Sequence, residues 1–115
     1  MKLSEKRILF SKLISQLVLW ASENGYDLAF DQVKRTQAEA SANAAKGTGI
    51  SNSLHLIGLA ADLNLYIKGV YQETTEAHKA IGEKWKSMHP LARWGGDFKS
   101  RPDGNHYSLE HNGVK

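Results

Sequence analysis

The chain has 115 residues, 41% hydrophobic and 23% charged, which suits one domain with a modest core and leaves little room for a second. It contains no cysteine, so a disulfide scaffold, a thiol nucleophile and a cysteine-ligated metal are excluded, and any bound metal must use His, Asp or Glu. The formal charge of +3 is spread among acids, as on a solvated surface, and no nucleic-acid-binding motif accompanies it.

In chain order, Leu9, Leu13, Leu17 and Trp20, with Phe10, Ile14 and Ala21 beside them, recur at helical spacing and predict a core helix over residues 4–24. Asn24-Gly25 supplies a left-handed stop. Glu5, Lys12 and Gln16 interrupt the apolar positions, no small-residue cleavage site follows, and no run approaches the roughly 18 apolar residues of a membrane span. Retention in the cytoplasm without membrane insertion is therefore expected. "YDLAFDQVKR" predicts a strand, and Thr36 with Glu39 has the spacing of a capping box opening a short alanine-rich helix that ends near Lys46. "KGTGISNS" is loop chemistry.

"GLAADLNLYI" then predicts a strand with Leu59, Ala61, Leu63, Leu65 and Ile67 on one face and Gly58, Ala60, Asp62 and Asn64 on the other. Lys68-Gly69 marks a hairpin turn. "TTEAHKAIGEKWKSMH" carries Ala77, Ile81, Trp85 and Met88 along a helical stripe that stops at Pro90, and "RWGGDFKSRPDGNHYSLEH" has strand-like ends around a polar loop. The expected architecture is a single α+β domain over residues 1–115, with helices packed on a small antiparallel sheet.

The chemistry concentrates around Asp62, a carboxylate in a segment that otherwise reads as a buried strand. Gly58 and Ala60 remove bulk on its face, and His55 lies on the loop before it, so an imidazole and a carboxylate can converge on one point. Such a pair is two-thirds of a catalytic zinc site, although His and Asp also meet as a plain hydrogen-bonded pair. Ser53, His55, Gly58, Ala60 and Asp62 together spell S-x-H-x-x-G-x-A-x-D. At average residue usage that pattern arises in a chain this long with a probability on the order of 10⁻⁴, so chance accounts for it poorly.

This pattern resembles the signature of the D-Ala-D-Ala metallopeptidases, which include the vancomycin-resistance dipeptidases and the phage L-alanyl-D-glutamate endopeptidase endolysins. The family's second motif, an acidic residue three positions before a zinc-binding histidine and an aromatic, is matched by Asp103, His106 and Tyr107 in "DGNHY". The preceding "WGGDF", Trp94 to Phe98, resembles the lead-in segment of the phage enzymes, and the likeness spans residues 32–107. It implies a hedgehog- and DD-peptidase-like fold and one zinc ion held by His55, Asp62 and His106. It also implies that Asp103 serves as general base and then general acid, an aspartate there pointing to the endolysin branch. The implied substrate is the stem peptide of bacterial peptidoglycan, cut by a monomer that accumulates in the host cytoplasm and reaches the wall at lysis.

Other positions divide between site and scaffold. Arg35, at the end of a predicted strand, is a candidate partner for the oxyanion or an ordinary surface cation. Ser53 is a candidate donor to His55 or to a substrate carboxylate, or a local loop cap. Trp94 is a candidate floor for the substrate cleft, or core, and Gly95 and Gly96 admit a peptide backbone or form a turn. His78 and His89 are expected at the surface. His111 competes with His106 as third ligand but falls on the opposite side of a regular strand. The competing functions are a D,D-carboxypeptidase or dipeptidase on the same scaffold, and a non-catalytic zinc-stabilised binding module.

Overall fold

The computed structural model describes residues 1–32 and 54–115. Helix α1 spans Leu3–Glu23 and buries Phe10, Leu13, Ile14, Leu17 and Ala21 along one stripe, as the periodicity predicts. Burying a side chain such as Phe10 or Leu17 stabilises the fold by roughly 1.5–3 kcal/mol. The helix ends in a Schellman turn: the N–H groups of Gly25 and Tyr26 donate to the carbonyls of Ser22 and Ala21, and Gly25 takes φ +85°.

Four further elements of the chain build on β1, Asp27–Gln32: β2, Ala60–Ile67, β3, Val70–Gln72, β4, Ala92–Trp94, and β5, His106–Leu109. They form one antiparallel sheet in the order β1-β2-β5-β4, with β3 paired to the far end of β2. Lys68 and Gly69 both adopt positive φ, 51° and 78°, which is the two-residue hairpin expected between β2 and β3. Helix α2, Lys79–Met88, follows a single 3₁₀ turn at Glu76–His78 and buries Ile81 and Trp85.

The core lies between the two helices and the sheet. Trp85 meets Phe10 of α1 and Tyr107 of β5 edge-on, with ring centroids 5.9 Å and 6.3 Å apart. Its indole N–H is shared between the carbonyls of Arg93 and Ser108, at 3.0 Å and 3.1 Å, so α2 is tied to both β4 and β5. The expected α+β arrangement is thus what the chain builds. No helix among the described residues is long and apolar enough to cross a membrane. The helix predicted after Thr36, together with Arg35 and Ser53, lies outside the described residues.

Candidate metal centre

Three short pieces of local structure bring the predicted ligands together. His55 sits on a 3₁₀ turn, Leu54–Ile57, whose chain reverses at Gly58, φ +75°, before entering β2. A side chain at Gly58 would be strained by that φ and would press on the Arg7 guanidinium, so glycine is required by the turn. Ala60 is fully buried. Gly58 thus makes the turn into β2, and Ala60 packs in the core two positions before Asp62 on the same face of the strand.

Asp62 and His106 are direct register partners across β2 and β5, which places their side chains on the same face of the sheet. The N–H of His106 donates to the carbonyl of Asp103 at 3.1 Å, so the three-residue spacing in "DGNHY" is a hydrogen-bonded turn that leads straight into β5. The backbone N–H of Asp103 in turn donates to the carbonyl of Gly95 at 2.8 Å. Asp103 itself is exposed.

The result is a compact His-Asp-His cluster. One donor atom from each of His55, Asp62 and His106 lies within 4.8 Å of the others. His55 Nε2 stands 3.4 Å from Asp62 Oδ1 and His106 Nδ1 stands 3.8 Å from the same oxygen, separations long for hydrogen bonds. Oδ1 is buried with no hydrogen-bond partner among the described residues. Burial opposes ionisation of Asp62, but the facing His106 and His55 rings outweigh it and hold the carboxyl well below the usual carboxylate range. An ionised, buried oxygen facing two imidazoles is costly unless a cation satisfies all three, and two imidazoles with a carboxylate are a fitting donor set for a divalent metal. The residues present fit such an ion.

The surroundings stiffen this cluster. The His106 ring packs against both the His55 ring, 5.5 Å away by centroids, and the Phe98 ring, 5.4 Å away. The contact from Phe98 is a feature that sequence reasoning missed, although "WGGDF" contains it. Gly95 is buried where a Cβ would collide with the Asp103 carbonyl and come within 2.7 Å of the His106 Cβ. The close approach that Gly95 permits is therefore made by the chain's own turn. A Cβ at Gly96 would strike the Trp94 ring.

Trp94 is 6% exposed, and its indole N–H donates to the Gly104 carbonyl at 2.7 Å. It supports the Asp103–His106 turn from the core, the second of the two places its sequence left open, and not as the floor of a cleft. His78, expected at the surface, is corrected: it is 3% exposed, with Nδ1 2.8 Å from the Tyr107 hydroxyl. An aromatic partner 29 residues away leaves no trace in the local pattern around His78. His89 accepts the N–H of Leu91 at the end of α2. His111 lies 3.0 Å from Lys6 Nζ and is not a member of the metal-ligand cluster.

The family model described as D-alanyl-D-alanine carboxypeptidase matches residues 46–109. Among curated proteins none matches the chain. Among solved structures, the L-Ala D-Glu endopeptidase ChiX of Serratia marcescens is similar in fold, with a TM-score of 0.71 at 21% identity, covering 87% of this chain and 79% of that one.

Proposed function

Because the chain belongs to the D-alanyl-D-alanine carboxypeptidase family of metallopeptidases, we propose that it is a zinc-dependent endopeptidase cutting between L-alanine and D-glutamate in peptidoglycan stem peptides. The observation that carries this reading is the convergence of His55, Asp62 and His106 within 4.8 Å around a buried carboxylate oxygen with no hydrogen-bond partner among the described residues. The fold shared with an L-Ala D-Glu endopeptidase supports the choice of bond.

In this proposal His55, Asp62 and His106 hold one zinc ion. When bound, zinc supplies Lewis-acid polarisation of the scissile carbonyl and brings the pKa of water down to about 7. The pairing of β2 with β5 holds Asp62 and His106 at fixed separation, so little reorganisation accompanies binding. Asp103, exposed on the turn before His106, takes the proton of the attacking water on a carboxylate oxygen and returns it to the leaving amine. Arg35 is proposed as the cation facing the developing oxyanion, and Ser53 as a hydrogen-bond donor to His55 or to the substrate. The biological role proposed is that of a phage-type endolysin, a monomer retained in the host cytoplasm until lysis delivers it to the wall.

Metal analysis of the purified protein, with mass spectrometry of digested muropeptides, tests this. One zinc per chain and a cut between L-alanine and D-glutamate are expected. Release of free D-alanine would transfer the protein to the carboxypeptidase reading that the family description favours. Stoichiometric zinc with no cleavage of either bond would leave a binding module.

A further inference from the structure

The turn that carries Asp103 has a second face, which borders an open cavity of about 260 Å³. Thr74 and Thr75, in the connection from β3 to α2, form one wall, and Asp103 and Asn105 form another. The walls are pinned: the Gly104 N–H donates to Thr75 Oγ1 at 3.2 Å, and a Cβ at Gly104 would lie 2.5 Å from the Thr75 Cα. His78 also lines this cavity, although its side chain is almost entirely buried.

The partner of His78 fixes what it offers there. The fully buried Tyr107 phenol keeps its proton at neutral pH, as a phenol with an ordinary pKa near 10 does. Among the described residues the acceptor within reach of that proton is His78 Nδ1, 2.8 Å away. Burial depresses His78 to about 4, which leaves a neutral ring at neutral pH. A neutral ring that accepts at Nδ1 carries its hydrogen on Nε2. His78 is then a fixed, uncharged donor. Glu73 and Asp103 border the same cavity and repel a carboxylate, so the acceptor suited to this donor is a neutral carbonyl.

We propose that His78 is a substrate-positioning residue whose Nε2–H donates to a backbone carbonyl of the stem peptide lodged in this cavity beside Asp103, an inference that rests on the peptidase reading. The hydrogen bond anchors the peptide next to the group that handles the proton.

Two substitutions separate the ring's two nitrogens. His78→Asn keeps an acceptor for Tyr107 and removes the donor to the cavity, whereas His78→Gln places an amide N–H near the Nε2 position. With the zinc-loaded enzyme and a synthetic L-Ala-D-Glu-containing stem peptide, His78→Asn should raise KM roughly tenfold, the scale of one lost hydrogen bond, with kcat nearly unchanged. His78→Gln should restore KM towards the parent value. A parent-like KM in His78→Asn would overturn the inference. Ring-nitrogen NMR of the unaltered protein provides a second readout: the Nε2–H tautomer should be present, and its resonance should move when the peptide is added. A ring that holds its hydrogen on Nδ1, or that ignores saturating peptide, also overturns it. A peptide that binds and shifts His78 without being cut supports the cavity assignment while rejecting the proposed reaction.

Discussion

Replacing Gly95 with alanine tests whether the His55-Asp62-His106 cluster and the fold share one packing constraint. The added Cβ would collide with the Asp103 carbonyl and stand 2.7 Å from the His106 Cβ, and neither can retreat freely. The Asp103 N–H is bonded to the Gly95 carbonyl, and His106 is held in register with Asp62. Overpacking of this kind costs about 1–3 kcal/mol, offset in part by the reduced unfolded-state entropy of alanine. At roughly 2.1 cal/mol/K of unfolding entropy per residue, each kcal/mol lost lowers Tm by about 4 °C in a chain of 115 residues. Gly95→Ala should therefore melt about 4–8 °C lower by thermal circular dichroism. Displacing Asp103 or His106 by a few tenths of an ångström should also lower turnover at least about tenfold. Gly69→Ala provides the contrast. Its φ of +78° makes a side chain strained, yet nothing lies within 4 Å, so it should lose about 1 kcal/mol of stability with turnover intact. Gly95→Ala with parent-like melting and turnover would refute the packing argument, and equal turnover losses in both variants would refute its link to the His55-Asp62-His106 cluster.

Asp103→Asn should keep fold and zinc while turnover falls by at least about a hundredfold, and normal turnover in stopped peptide-cleavage assays would remove Asp103 from its role. His106→Ala should lose zinc by metal analysis while His111→Ala retains it, and the reverse would exchange their roles. Because burial depresses His78 to about 4 from an ordinary value near 6.5, the unfolded chain takes up its proton first. The stability His78 contributes is complete above about pH 6.5 and declines as pH falls towards 4. Urea titrations of the metal-free protein should show that slope, and His78→Asn should flatten it; an unchanged slope would contradict the buried neutral ring.

Much of this molecule was legible along the chain. The stripe from Phe10 to Ala21, the Asn24-Gly25 stop, the Lys68-Gly69 hairpin and the stripe through Ile81 and Trp85 all follow from periods of two and 3.6 and from turn chemistry, which act between near neighbours. His55, Asp62 and His106 were also found there, because their motifs are local even though the cluster is not.

What the linear chain left open were properties of residues far apart. A one-residue slip between β2 and β5 would turn His106 to the other side of the sheet from Asp62, and only the pairing of whole strands fixes that register. The same holds for His78, read as a surface group until Tyr107 buries it, and for Trp94, whose indole braces a turn ten residues away. Local sequence determines period, turn and ligand type, since those energies involve a few consecutive residues. Burial and the partner of each polar group are set by surfaces that meet only when the chain closes, and so the tertiary structure alone decided that His106 faces Asp62 across β2 and β5 and that His78 is buried against Tyr107.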